Sequence, residues 1–571
     1  MILIKFTTYL IMFLIKEILN CKTYVNNFFV GVKLVKNFND YIFINKNKEI
    51  FKDEFLNKYI KLNTKIWKKK IISKKSEKKI LVESLINHPH YLIPSCLIGM
   101  ELSEFHNLEC VGMIRKGDLI SEKIMRSFGI NEIIKIDEGN FFIRLFYFLK
   151  SIKILGFKKS SRSLINFKIN KIEIGKNVYE SYVRYKNMPV PKILNYPFYY
   201  LLSKILYINN LIKKILIKKK YVCLVQAENQ FIPFRVLFQN ALKQKIKIYT
   251  RQGLRNIRIR KFDNFMDKNT NTLKIDKKLV NFYYNNYKDK ILLNWRNNIK
   301  NSLKKNMGSE IYQMLNISHV PRKTFKNKKE ICKLFNWNIN DPIVLILSHD
   351  LIDGNFLNKW NLFIDNRDWL TETLKKINKI DNINWIIKPH PSETLNMSEI
   401  NTKAVFNEII KSNKNNIKLY PENYSIKNFY KHIKVVITSH GTAGYQYPAF
   451  GKPVIICGDT YYGGHNFNLE PKSKNEYYKI LANIKKIRSL KKSQIEKNIV
   501  FCYVFDTITK LKISTIPHTD ITMSYDRKKF WKKSYQLLFK NQKKRTNFSK
   551  SFKFQLLNKN TNLINLEKNS L

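Results

Sequence analysis

Cysteine, acidic side chains and long apolar runs are all scarce in this sequence, and each scarcity removes a class of protein. The seven cysteines (Cys21, Cys96, Cys110, Cys223, Cys332, Cys457 and Cys502) are odd in number and contain no CxxC pair. They suggest neither a disulfide framework nor a zinc ribbon and read as small buried hydrophobes in a reducing compartment. No DxD triplet occurs, so a diphosphate held by a metal ion is not expected, and no metal or cofactor site is assigned. No uncharged apolar run reaches the ~20 residues that a membrane-spanning helix needs. The N-terminal candidate, Phe6 to Ile15, is bounded by Lys5 and by Lys16-Glu17, and no A-x-A-like cleavage site follows. It reads as an amphipathic or buried helix, with an uncleaved peripheral anchor as the alternative.

Asp and Glu number 43 against 104 Lys and Arg, a formal net charge of +61 over 571 residues. Lysine supplies most of the excess and is spread along the whole chain with abundant Asn and Ile, as AT-rich coding produces. A nucleic-acid module concentrates Arg and aromatics on one element, so no specific nucleic-acid partner is expected. Such a surface still attracts anionic membrane and anionic sugar nucleotides. Hydrophobic residues make up 44% and aromatics 13%, which is globular composition and excludes a chain disordered throughout.

The length allows two to four domains. Residues 1–75 read as a helical or mixed lead-in. From Lys79 onward short apolar runs alternate with helical patterns, the signature of a parallel sheet covered by helices. Strands are expected at 80–83, 108–114, 133–136, 221–226 and 246–250, within a first Rossmann-like domain over 76–255 that carries an insertion at about 141–219. Residues 256–340 read as a connection. A second Rossmann-like domain is expected over 341–540, with strands at 343–347, 384–388, 417–420, 435–438 and 454–457, ending in helices. Ser121, Asp368 and Ser425 are the expected helix caps, a helix is expected over 443–450, and 541–571 reads as a disordered tail.

In parallel α/β sheets, ligands sit at the carboxyl ends of strands. The polar clusters of the second domain all fall there: Ser348-His349-Asp350, Lys388-Pro389-His390, Ser439-His440-Gly441-Thr442 and Gly458-Asp459. Gly441 and Gly444 permit a tight turn and close approach of a ligand. A helix N-terminus behind them would suit phosphate, with Ser439 and Thr442 adding hydroxyls. Pro389 and Pro391 hold the backbone around His390, and Lys388 is a point charge for the same anion. Taken alone, each segment also reads as a plain helix cap or strand-end turn.

Together, Trp385-Ile-Ile-Lys-Pro-His-Pro-Ser-Glu393 and Thr438-Ser-His-Gly-Thr-Ala-Gly-Tyr-Gln-Tyr-Pro-Ala-Phe-Gly-Lys-Pro-Val454 resemble the C-terminal domain of bacterial capsule and lipopolysaccharide sugar transferases of the capsule polysaccharide biosynthesis type, related to the capsule Kdo transferases. The resemblance covers about Pro342 to Gly464, is weaker over Lys79 to Gly253 and is absent at both termini. It implies an α/β protein of the GT-B type, two Rossmann-like domains facing across a cleft, with helical additions at both ends. It implies an inverting, metal-independent glycosyltransferase that moves a sugar from a nucleotide donor onto a glycan or lipid-linked glycan acceptor of the bacterial surface. The implied donor site comprises His349, Lys388, Ser439, His440, Gly441, Thr442, Gly444 and Gln446, with His390 catalytic. Gln446 stands where many such transferases carry a ribose-binding Glu, which leaves the donor base and sugar open. The resemblance also implies a cytoplasmic protein, or one peripheral at the inner face of the cytoplasmic membrane.

An inverting transfer needs a base for the acceptor hydroxyl. Glu228, just after the strand at 221–226, is the candidate, with Asp118 and His106 behind it. Two other readings stay open. One is a sugar-nucleotide epimerase of the same fold. The other is a non-enzymatic basic protein that binds nucleic acid or membrane surfaces.

Overall fold

The computed structural model describes residues 2–22, 53–68, 76–86, 88–156, 160–186, 195–252, 257–295, 323–356, 359–393, 401–410, 414–426, 429–511, 513–517, 527–541 and 547–569. Most of the expected lead-in and the middle of the expected connection lie outside these residues. The chain divides into two units, each with its own sheet and core.

The first unit comprises Met1–Lys186, Val190–Lys268 and Lys510–Leu566. Its strands are β1 (Lys78–Ser84), β2 (Glu109–Arg115), β3 (Glu132–Ile136), β4 (Lys220–Gln226), β5 (Lys247–Gln252) and β6 (Arg258–Phe262). They lie in the order β3-β2-β1-β4-β5-β6, parallel except for β6 at the edge. Its helices, up to the second unit, are α1 (Ile2–Lys22), α2 (Glu54–Lys68), α3 (Pro89–His106), α4 (Leu119–Ser127), α5 (Phe141–Leu155), α6 (Ser161–Ile165), α7 (Ile174–Lys186), α8 (Tyr196–Lys218) and α9 (Phe234–Lys243). Helices α5 to α8 fill the stretch between β3 and β4. Parallel neighbours cannot be joined by a tight turn, so each connection crosses over the sheet as a helix.

The second unit is built chiefly of Asn269–Thr509. Its strands are β7 (Ile343–Leu347), β8 (Asn384–Lys388), β9 (Ile417–Leu419), β10 (Val435–Thr438) and β11 (Val454–Ile456), all parallel in the order β11-β10-β7-β8-β9. Around them lie α10 (Lys277–Asn294), α11 (Lys328–Phe335), α12 (Asn366–Ile377), α13 (Thr402–Ile409), α14 (Ala443–Gln446), α15 (Lys474–Ala482) and α16 (Lys492–Tyr503). The central strand β7 reads Ile-Val-Leu-Ile-Leu because helices cover both sheet faces, so neither side of the strand meets water. Trp369 of α12 and Trp385 of β8 are buried in the core beside it.

The chain then returns to the first unit with α17 (Arg527–Asn541) and α18 (Asn547–Leu557). Phe530, Trp531, Phe548 and Phe552 join the same core as Ile80, Val82 and Tyr249. Within the segment read as a disordered tail, α18 is therefore a packed helix. Lysine and asparagine on its outer face mask the buried positions Phe548, Ser551, Phe552, Gln555 and Leu556, which recur at helical spacing. The helices after residue 510 also belong with the first sheet, not with the second domain as the order along the chain suggests.

Every expected strand is present with small changes at its ends. Strand β6 lies within the expected connection, because Arg258-Ile-Arg-Lys-Phe is short and rich in charge, as an edge strand can be. The caps move as well. Asp118, not Ser121, caps α4, accepting the Ser121 N–H at 3.0 Å. Asp365, not Asp368, caps α12, accepting the Asp368 N–H at 2.7 Å. After Ser425 there is a 3-10 turn, Phe429–His432, in place of the expected helix.

Phe552 tests the return of the chain. Truncation of Phe552→Ala in that buried cluster should destabilise the first unit by about 3–5 kcal/mol. Urea unfolding followed by far-ultraviolet circular dichroism reads the loss, which a loose tail would not show.

Candidate functional site

In the second unit the strand order reverses between β7 and β10. The chain builds outward from β7 through β8 and β9, then returns to place β10 and β11 on the other side. A crevice opens at the carboxyl ends of strands at such a point. There the structure brings three imidazoles together from three strand ends. The ring centroids of His349 and His440 lie 3.9 Å apart, and those of His349 and His390 lie 5.6 Å apart.

The side chain of Asn366, buried at the start of α12, ties this cluster together. Its Oδ1 accepts from the Ser439 hydroxyl at 3.1 Å. Its Nδ2 donates to the carbonyls of Asp350 (3.1 Å) and Asp353 (2.9 Å), and lies 3.2 Å from His349 Nδ1. The Ser439 hydroxyl, having donated to Asn366, receives His440 Nδ1 at 2.6 Å. A parallel relay holds His390. The Ser392 hydroxyl donates to Asp350 Oδ2 at 2.6 Å and lies 2.6 Å from His390 Nδ1. The Ser392 N–H donates to the same nitrogen at 3.3 Å. At His440 the bond to Ser439, whose own proton goes to Asn366, makes Nδ1 the donor. Both His390 and His440 are held by Nδ1, which leaves Nε2 to meet a ligand. His440 is 8% exposed, and its Nε2 has no partner among the described residues.

Burial pushes the His390 pKa down to about 3, with His349 and Lys388 adding to the shift and Asp353 opposing it. Burial likewise holds His440 well below the usual histidine range, reinforced by its two histidine neighbours. Both rings are therefore neutral at pH 7. A further network binds β7 to β8. Ser348 donates to the Lys388 carbonyl, and Thr402 links the Ser348 hydroxyl to the Glu393 carboxyl. Burial raises the Glu393 pKa to about 7, opposed by its bonds from Thr402.

The remaining expected donor residues divide. Lys388 is half-buried, with Nζ 6.0 Å from the Tyr420 ring centre. Thr442 is exposed and Gln446 half-buried. The expected helix over 443–450 is one α turn, α14, followed by the 3-10 turn Pro448–Phe450. So short an element has a small macrodipole, and the phosphate affinity assigned to its N-terminus is correspondingly reduced. Gly444 also has a packing role. A Cβ on Gly444 would lie 2.2 Å from the Tyr462 ring, and the Tyr462 hydroxyl donates to the Gly441 carbonyl at 2.6 Å. Gly444 makes room for a tyrosine of the chain itself. Asp459 pairs with Lys274 at 3.0 Å. Among the described residues no group of three or more His, Cys, Asp or Glu is arranged to hold a metal ion.

The first sheet has its own reversal, between β1 and β4. Glu83 at the end of β1 is 1% exposed and accepts backbone N–H groups from Leu85 at 2.5 Å and Ala227 at 3.4 Å. Burial raises its pKa to about 7, the two N–H groups oppose that, and Glu228 adds to it. Arg251 at the end of β5 is buried over the Tyr91 ring, 4.6 Å from its centre, and feels the charges of Glu228 and Glu83. Glu228 is half-buried and accepts N–H groups from Asn229 and Gln230. Glu228 therefore belongs to a polar cluster at a strand-end reversal. The two lesser candidates do not. Asp118 is occupied as a helix cap. His106 ends α3 beside Cys223 and Lys247, near the amino ends of β4 and β5.

Reading the sequence alone missed Glu83, Arg251, Asn366 and Ser392. Glu83 closes an apolar strand, a position that would have singled it out. Ser392 sits two positions from His390, but its other partner Asp350 lies 42 positions away, and the Ser439 partner of Asn366 lies 73 away.

No protein-family description matches the chain, and no curated protein matches it. Among solved structures it is similar to the KpsC beta Kdo 2,4 transferase of Thermosulfurimonas dismutans, at 11% identity and a TM-score of 0.28, over 49% of this chain and 79% of that one. It is also similar to the UDP-GlcNAc 2-epimerase of Neisseria meningitidis bound to UDP-GlcNAc, at 10% identity and a TM-score of 0.23, over 81% and 98%. A third is the UDP-GlcNAc 2-epimerase of Methanocaldococcus jannaschii in complex with UDP-GlcNAc and UDP, at 14% and 0.24, over 75% and 99%. Likenesses this distant assign neither a substrate nor a reaction to this chain.

The two glycines separate packing from ligand contact. Gly444→Ala should cost about 1–3 kcal/mol by overpacking against Tyr462. Gly441→Ala meets the Thr438 hydroxyl at 2.9 Å, which is a milder contact. Thermal unfolding of the two variants should therefore show the larger fall for Gly444→Ala.

Proposed function

We propose that this chain is a glycosyltransferase that takes its sugar from a nucleotide donor bound at the carboxyl edge of the second sheet. The observation that carries the reading is the convergence of His349, His390 and His440 at the strand-order reversal, each coming from a different strand end. A diphosphate suits this place. Lys388 supplies a full positive charge nearby, and the imidazoles can become donors by taking up protons. The resemblance of the Lys388-Pro-His-Pro and Ser439-His-Gly-Thr segments to capsule-type sugar transferases supports the same reading. It makes a bacterial surface polysaccharide the acceptor and the transfer inverting. In the first unit, Glu228 beside Glu83 and Arg251 is the carboxylate proposed to receive the acceptor proton.

Proton uptake is a direct consequence. With Nδ1 of His440 donating to Ser439, its Nε2 carries a lone pair in the free protein, so a phosphate oxygen is received there once the ring is protonated. An anion there raises the imidazole pKa, and the complex then binds more protons than the free protein. Nucleotide affinity should accordingly rise as pH falls from 7.5 toward 6. Calorimetry in buffers of different ionisation enthalpy should show net proton uptake that is reduced in His440→Ala. Binding without pH dependence would remove the phosphate from this ring.

The reaction is tested with a panel of CMP-, UDP-, GDP- and CDP-sugars, choosing the donor by thermal shift. Transfer should require an acceptor and fall by about 10²–10³ in His390→Ala and by a similar factor in Glu228→Gln. Turnover of the nucleotide sugar with no acceptor present would instead mark an epimerase.

A further inference from the structure

Helix α1 lies on the surface of the first unit, held by aromatic contacts. Phe13 stacks on Phe148 of α5 at 4.6 Å, and Tyr9 meets Tyr199 of α8 at 5.4 Å. Phe13 is buried, whereas Ile11, Met12, Leu14 and Ile15 around it are exposed. The adjoining α5 repeats the pattern. Phe148, Ser151, Ile152 and Leu155 face the core, while Phe142 (76% exposed), Phe146 (59%) and Leu149, one helical stripe, face solvent. Exposed apolar side chains of this size, on two helices joined through Phe13, mark an interaction surface.

The charge of the surrounding helices says what covers it. Helix α1 carries Lys5, helix α5 carries the exposed Lys150 and Lys153, and α8 carries the exposed Lys213, Lys214 and Lys218. Glu17 is the one acidic residue within the three helices, and Glu138 just ahead of α5 is paired with Lys204 at 3.5 Å. A second copy of the chain would bring like charges together on this face. An anionic lipid surface would be attracted by them, each Lys or Arg near it contributing about 1 kcal/mol. No described helix is long and apolar enough to cross a membrane, so contact is confined to the interface.

We propose that α1 and α5 together form a docking surface for a bilayer with anionic headgroups. The exposed side chains of both helices enter the acyl boundary while the lysines reach the phosphates. The inference is independent of the transferase reading, because its readout is lipid binding and not turnover.

The experiment is cosedimentation of the full chain with phosphatidylcholine vesicles, with and without phosphatidylglycerol. The wild-type protein should bind the anionic vesicles and be weakened by salt. Phe142→Gln with Phe146→Gln keeps the charge and changes only exposed positions. It should lower the partition coefficient about tenfold or more. Ile11→Gln with Ile15→Gln provides an independent pair on α1 with the same expected effect. Phe282→Gln, an exposed phenylalanine of α10 in the second unit, should leave binding unchanged. The proposal is overturned if both glutamine pairs bind like wild type, because the overall charge would then suffice. Absence of binding by the wild-type protein would overturn it too. So would a dimer in light scattering that the same pairs dissolve while vesicle binding stays constant.

Discussion

The amide of Asn366 holds the second unit's site together. It receives the Ser439 hydroxyl from the end of β10 and donates to two carbonyls in the loop that follows β7. Both ends of a primary amide are thereby engaged where water cannot replace either partner, which makes each bond costly to lose. The orientation of His440 follows from it through Ser439, and the position of Asp350 follows from it through the loop. Asp350 in turn directs Ser392 and so His390. A side chain with no charge of its own thus arranges three histidines.

Those histidines illustrate how burial and placement combine. Desolvation disfavours protonation of His390 and His440, and their neighbours His349 and, for His390, Lys388 act in the same direction. In the first unit the balance has the opposite sign. Glu83 is buried among backbone N–H groups with Glu228 nearby, and its pKa rises toward neutrality. Each sheet therefore places a titratable group with a shifted pKa at its own strand-order reversal, where residues distant in sequence reach a common edge. Shifted groups in such places are the usual mark of chemistry.

The glycine-rich segment shows how a local pattern can also answer to packing. Gly441 and Gly444 do lie at the strand end. The small size of Gly444 admits Tyr462, whose ring would overlap a Cβ there and whose hydroxyl bonds the Gly441 carbonyl. At Gly444 the chain's own packing requires glycine, and the one-turn α14 behind it gives little dipole to aim at a phosphate.

Much of the fold was legible in the sequence because buried parallel strands need apolar runs. Ile343–Leu347 could hardly be anything but a central strand, and the polar clusters that follow β7, β8 and β10 mark carboxyl ends wherever the strands pair. The histidines and the placement of Glu228 were legible for the same reason. Tertiary structure alone decided which ends meet, because strand order depends on how crossovers pack and leaves no local trace. It also decided that Asn366 and Ser392 orient the histidines and that Glu83 and Arg251 join Glu228. The chain after residue 510 returns to the first sheet, where the apolar face of α18 finds its partners, although its composition of lysine and asparagine reads as a tail. Composition reports what a segment exposes, and only the fold reveals what it buries.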